Sequence, residues 1–175
     1  MFSFGGWILA SGLVRSIFEN IYIISIGRLL PIMQLGFYTK SQELQKPISH
    51  NLTMAIANVS FPLFSKYQLE IDKLKKYKNK FLIHTMAFIM PLLIILMVNS
   101  NSFVKLILGN QWIPMIPYLQ LICITGILFP IHLFNVNVLV AQGKSYLDFR
   151  ITVIKMLLVI LNITITYRWG LYYVI

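Results

Sequence analysis

Ser60-Phe-Pro-Leu-Phe-Ser-Lys66, continued by a run to Lys80 that carries Lys73, Lys75, Lys76 and Lys78, decides how this chain is read. An apolar segment ends there and a lysine-rich one begins. A soluble helical protein can carry such a run as a solvated face, so the flanks must discriminate. On the C-terminal side, Phe81 to Val98 contains no formally charged residue, and only His84 and Thr85 interrupt its apolar surface. That stretch approaches the roughly 20 residues that a helix needs to cross hydrocarbon at about 1.5 Å per residue. The run 66–80 is therefore read as a loop held on the cytoplasmic side between two membrane spans.

Composition agrees with that reading. Of the 175 residues, 58% are hydrophobic and 11% charged, against about a quarter charged in soluble domains. Mean hydropathy is +0.76. A formal net charge of +10 raises nucleic acid as a partner. The lysines and arginines sit between apolar blocks with no nucleic-acid-binding motif around them, so no nucleic acid is expected. The single cysteine, Cys123, lies in an apolar block without a second thiol, and reads as a packing residue. Met1-Phe-Ser-Phe-Gly-Gly-Trp7 lacks the basic region of a cleavable signal and leads into an apolar stretch too long for one, so a retained span is expected.

The expected fold is all-α and integral to the membrane: one domain over 1–175, a polytopic bundle of about five transmembrane helices. The spans are placed at about 4–30, 48–64, 81–98, 117–141 and 151–167. The first contains Arg15, Glu19, Asn20 and Arg28. Arg15 and Glu19 are four apart, share a face and partly neutralise each other. Charges at that depth face protein or a water-filled cavity, as a functional site or as a structural ion pair. Between Pro31 and Pro47 a loop with an interfacial turn is expected. The span from 48 carries His50, Asn51, Thr53, Asn58 and Ser60, so it needs neighbours on most sides. Pro91 is placed to kink the span 81–98. Residues 103–108 form a short amphipathic interfacial helix ended by Gly109, with Trp112 at headgroup depth. Lys144 to Arg150 reads as a second short basic loop, on the same side as 66–80, and Lys155 lies one turn inside the last span.

Several short stretches, taken in order, resemble one family. They are Trp7-Ile-Leu-Ala-Ser11, Ile26-Gly-Arg28, Leu35-Gly-Phe-Tyr38, Pro47 and Val59-Ser-Phe-Pro62-Leu-Phe-Ser-Lys66, then Leu74 to Tyr77, Pro91, Leu108-Gly-Asn-Gln-Trp112, Leu119-Gln120, Pro130 and Ala141-Gln-Gly-Lys-Ser145. Their order and spacing resemble the polysaccharide flippases of the multidrug/oligosaccharidyl-lipid/polysaccharide exporter superfamily, over nearly the whole chain. The resemblance implies movement of a lipid-linked oligosaccharide, typically on undecaprenyl pyrophosphate, across the bacterial cytoplasmic (inner) membrane during O-antigen, capsule or exopolysaccharide synthesis. It implies a two-lobed, MATE-like transporter with about six helices per lobe around a central cavity, of which this chain corresponds to most of the C-terminal lobe. A missing lobe is then a partner, together with membrane lipids.

Flipping needs a polar, cationic path for a pyrophosphate and for sugar hydroxyls. Arg15, Arg28 and Lys155 are the candidates for phosphate, with Glu19 as counter-ion or coupling group. Asn20, Asn135 and Asn137 are candidates for hydroxyls, or for bonds between helices averaging about 0.6 kcal/mol. His84 and His132 read as helix-to-helix bonds. The lysine run serves topology first and anionic headgroups second. The sequons Asn51-Leu-Thr53, Asn58-Val-Ser60 and Asn162-Ile-Thr164 fall in spans and are set aside. No phosphate-cradling glycine loop, carboxylate cluster or nucleophile cluster occurs, so no cofactor, metal or enzyme chemistry is expected. The alternatives are a membrane glycosyltransferase or polymerase subunit of the same kind of pathway, and a non-transporting fragment.

Overall fold

In the computed structural model, which describes residues 5–7, 9–14, 16–17 and 31–166 and their side chains as far as 161, the regular elements are helical, and no strand occurs among the described residues. Helix α1 spans Ile32–Lys46 and passes through a π turn, Pro47–Asn51, into α2, Leu52–Lys66. Then come α3 (Ile71–Val98), α4 (Ser100–Ile107), a 3₁₀ turn (Asn110–Met115), α5 (Ile116–Ala141) and α6 (Ser145–Thr166).

The expected loop between Pro31 and Pro47 is helix instead. Its polar residues satisfy one another along the helix: Lys40 Nζ reaches Glu43 Oε2 at 2.9 Å, three residues on, and Gln42 Nε2 donates to Tyr38 Oη at 2.8 Å, four residues back. The Pro31 carbonyl accepts the first bonds, from the N–H groups of Gln34 and Leu35. Pro47 lacks the N–H that the helix would use. The backbone nevertheless stays right-handed helical at Lys46 and Leu52, and a π turn takes up the fault.

The lysine run is also corrected. The connection is only Tyr67 to Glu70, and Lys73, Lys75, Lys76, Lys78 and Lys80 lie on the first turns of α3. Glu70 Oε2 meets Lys73 Nζ at 2.7 Å across the helix start. Leu74, Tyr77, Phe81 and Thr85 recur at three- and four-residue steps, which supplies the packed face a helix needs. Likewise, α6 begins at Ser145 within the expected basic loop 144–150, after a turn in which Gly143 holds φ 75°. Helix α4 starts at Ser100, earlier than the expected 103. It stops where Gly109, at φ 88°, donates its N–H to the Val104 carbonyl at 3.1 Å.

The chain divides into two units, 36–142 and the pair 1–35 with 143–175. In the first of these, α3 and α5 pack along each other and α2 lies against both. One apolar cluster joins Ile89, Leu93 and Leu96 of α3 to Val104, Met115, Leu119 and Cys123. A second joins Phe64, Leu74, Phe134 and Ala141, where the end of α2, the start of α3 and the end of α5 converge. In the other unit, Trp7 lies 5.1 Å from Phe149 between ring centroids, and Arg150 sits over the Tyr146 ring at 5.6 Å.

Two helical stretches among the described residues are long and apolar enough to cross a membrane, Ile71–Val98 and Asn110–Ala141. Helix α3 has 28 residues, hence about 42 Å, against about 30 Å of hydrocarbon. Only 22% of its most apolar stretch is buried within the protein. Ile83, Phe88, Ile95 and Val98 all point outward. A helix that is apolar on its exposed side as well as its packed side is suited to a lipid surround.

Candidate functional site

Polar and charged groups gather at the lysine end of unit 36–142. Tyr67, in the connection after α2, stacks on Tyr77 of α3 at 5.1 Å. The ammonium groups of Lys66 and Lys73 lie 5.6 and 5.4 Å from the centre of the Tyr67 ring. The hydrogen bond from Lys73 to Glu70, then the charge of Glu70, raises the Lys73 pKa above its ordinary value of 10.5.

Deeper along α3, Lys78 Nζ donates to Asn135 Oδ1 of α5 at 3.1 Å, while the Asn135 amide donates to the Ile131 carbonyl at 2.9 Å. One turn further, a cleft of about 490 Å³ opens between α2 and α3, lined by Ile56, Leu63, Tyr77, Lys80, Phe81 and His84. His84 Nδ1 is 2.7 Å from the Lys80 carbonyl. A carbonyl only accepts, so Nδ1 carries the proton and Nε2 is the ring's outward-acting nitrogen.

A second polar feature crosses the bundle. Ser41, Gln45, Ser49, Thr53 and Ser60 are buried along one continuous face of α1, the π turn and α2. Gln45 Nε2 donates to Ser49 Oγ, and Thr53 Oγ1 donates to the Ser49 carbonyl. Opposite them is Gly126 of α5, where any side chain would collide with the Gln45 amide and press on Leu93 Cδ1. At the far end of α3, Gln120 Nε2 donates to Ser100 Oγ at 3.2 Å.

Of the site residues expected from sequence, Arg15, Glu19, Asn20 and Arg28 lie outside the described residues. Asn135 and Asn137 are both on α5, but two residues apart and so on different faces; Asn135 is exposed and bonded to Lys78, Asn137 half-buried. Lys155 is an exposed residue of α6 in the other unit. In sequence, Lys78 and Lys80 read only as part of the basic run, and Tyr77 only as the end of the stretch Leu74 to Tyr77. The signal for Lys78 was its position: it falls on the stripe Leu74, Lys78, Phe81, Thr85, Ile89, Leu93 at helical spacing. Among the described residues no group of three or more His, Cys, Asp or Glu is placed to hold a metal ion.

Residues 1–117 match a family described as polysaccharide biosynthesis protein. The chain is 31% identical over 162 residues to the lipopolysaccharide biosynthesis protein WzxC of Escherichia coli (strain K12), covering 93% of this chain and 33% of that protein. It is 32% identical over 150 residues to the teichuronic acid biosynthesis protein TuaB of Bacillus subtilis (strain 168), covering 85% and 31%. It is 27% identical over 161 residues to an uncharacterized membrane protein in the cps region of Klebsiella pneumoniae, covering 91% and 33%. No solved structure matches it. The chain belongs to the polysaccharide biosynthesis protein family, and it spans about a third of the length of the curated relatives it matches.

Proposed function

We propose that this chain forms part of an exporter that moves lipid-linked oligosaccharide, of the undecaprenyl pyrophosphate type, across the bacterial cytoplasmic membrane. The observation that carries the reading is α3: a helix apolar on its exposed flank over 81–98, continuous with lysine-bearing turns over 71–80, in a chain of this family. At about 1.5 Å per residue, 81–98 occupies the hydrocarbon and leaves the lysines at its edge. Basic segments stay on the cytoplasmic side, which orients α3 and returns α5 to the same face. About five crossings, at 4–30, 48–64, 81–98, 117–141 and 151–167, belong to the same reading, as does the likeness to one lobe of a two-lobed transporter.

Within that bundle, Arg15, Arg28 and Lys155 attract the pyrophosphate, and Glu19 balances or couples their charge. Asn20, Asn135 and Asn137 offer amides to sugar hydroxyls, Asn135 with its carbonyl already engaged by Lys78. The remainder of the path belongs to a second lobe, in the same or another polypeptide. The test is charge reversal at the matching positions of a full-length relative, Arg15→Glu and Glu19→Lys, with export and membrane abundance both measured. Loss of export at unchanged abundance is expected; full export in both reversals removes the cavity assignment.

A further inference from the structure

The cleft between α2 and α3 has a composition that the translocation path does not explain. Ile56, Leu63 and Phe81 give it apolar walls, Tyr77 an aromatic one, and its polar edge is Lys80 and His84, with no carboxylate in the lining. The Lys80 ammonium has no hydrogen-bond or ion-pair partner among the described residues, whereas Lys73 is held by Glu70 and Lys78 by Asn135. Sugar hydroxyls placed against such walls would lose their hydrogen bonds to water without replacement. A hydrocarbon chain carrying an anion at one end satisfies both parts of the surface. Basic pockets between helices at the cytoplasmic face take phospholipid headgroups in this manner.

We propose that this cleft binds one anionic glycerophospholipid, with its phosphate at Lys80 and His84 and the start of an acyl chain along Ile56, Leu63 and Phe81. The proposal rests on the membrane placement of α3 given above. Lys80 supplies the fixed charge. His84, one turn along α3 with Nδ1 already committed to the Lys80 carbonyl, closes the polar edge beside it. Tyr77, stacked on Tyr67, holds the lower wall in place.

The test uses the full chain in detergent, titrated with phosphatidylglycerol, phosphatidylcholine or inorganic phosphate and read by native mass spectrometry. Phosphatidylglycerol is expected to be retained one per chain and phosphatidylcholine not. Lys80→Gln and His84→Gln should each weaken retention about fivefold, Lys80→Arg should restore it, and Leu63→Trp, which fills the cleft, should abolish it. Lys75→Gln and Lys76→Gln remove the same charge outside the cleft and should change retention by less than about twofold. Equal losses at Lys75 and Lys80 would mean diffuse attraction and overturn the site. Displacement of the lipid by millimolar inorganic phosphate would overturn the lipid assignment. Alkaline carbonate extraction separates the two readings: a chain that stays in the membrane pellet yet shows no selective retention sinks this proposal alone, and a chain that is extracted sinks the membrane placement with it.

Discussion

Lys78 Nζ donates to Asn135 Oδ1 at 3.1 Å and ties α3 to α5 across 57 positions of sequence. The Asn135 amide is fixed in turn by the Ile131 carbonyl, so the acceptor presented to Lys78 has one orientation. Lysine on a packing stripe is costly unless its ammonium is engaged, which gives the bond a structural role alongside any contact with substrate. Lys78→Met and Asn135→Leu, measured singly and together by unfolding of the solubilised protein, should show a coupling of about 0.6 kcal/mol. Strictly additive effects would show that the contact carries no energy.

A side chain at Gly126 of α5 would collide with the buried amide of Gln45. Helix propensity alone favours Gly126→Ala by about 1 kcal/mol. The collision reverses that sign, because Gln45 must swing away and break its bond to Ser49. Gly126→Ala should therefore destabilise by about 1–3 kcal/mol. Adding Gln45→Ala should recover part of the loss. Stabilisation by Gly126→Ala would contradict the packing described here.

The Glu70–Lys73 pair is exposed and makes a pH-dependent contribution whose sign is fixed. Lys73 has its pKa raised above 10.5 by the Glu70 hydrogen bond and charge. The contribution is accordingly complete below the ordinary lysine value and lost as pH climbs through the raised one. Titration of isotopically labelled lysines by NMR should place the Lys73 midpoint higher in the native chain than in Glu70→Gln. An unchanged midpoint would mean that the pair does not persist in solution.

The stretch 81–98 is legible because it is long, uncharged and apolar apart from His84 and Thr85. Helix α1 was not, because Gly36, Tyr38, Lys40, Glu43 and Lys46 read as polar loop residues when counted singly. The steps Lys40 to Glu43 and Tyr38 to Gln42 are helical pairings that would have shown otherwise. Pro47 reads as a boundary in sequence, whereas the π turn lets the backbone pass it. Lys73, Lys75, Lys76, Lys78 and Lys80 read as a loop by their charge, although buried Leu74 and the partly buried Tyr77 and Phe81 mark a packed stripe through them. The Gln45–Gly126 contact depends on how α1 meets α5, and no pattern within either helix encodes it. In sequence Asn135 stands out by its type alone, since its partner Lys78 lies 57 positions away on another helix.

The placement of the lysine-bearing turns of α3 at the cytoplasmic face is most directly tested by thiol accessibility. Cys123 is the single native cysteine and is buried, so a Lys75→Cys substitution in a Cys123→Ser background reports one position. A membrane-impermeant maleimide added to intact spheroplasts should leave Cys at this position unlabelled and label it fully in inside-out vesicles. Full labelling in the intact spheroplasts would put the lysines outside and contradict the orientation of the whole bundle.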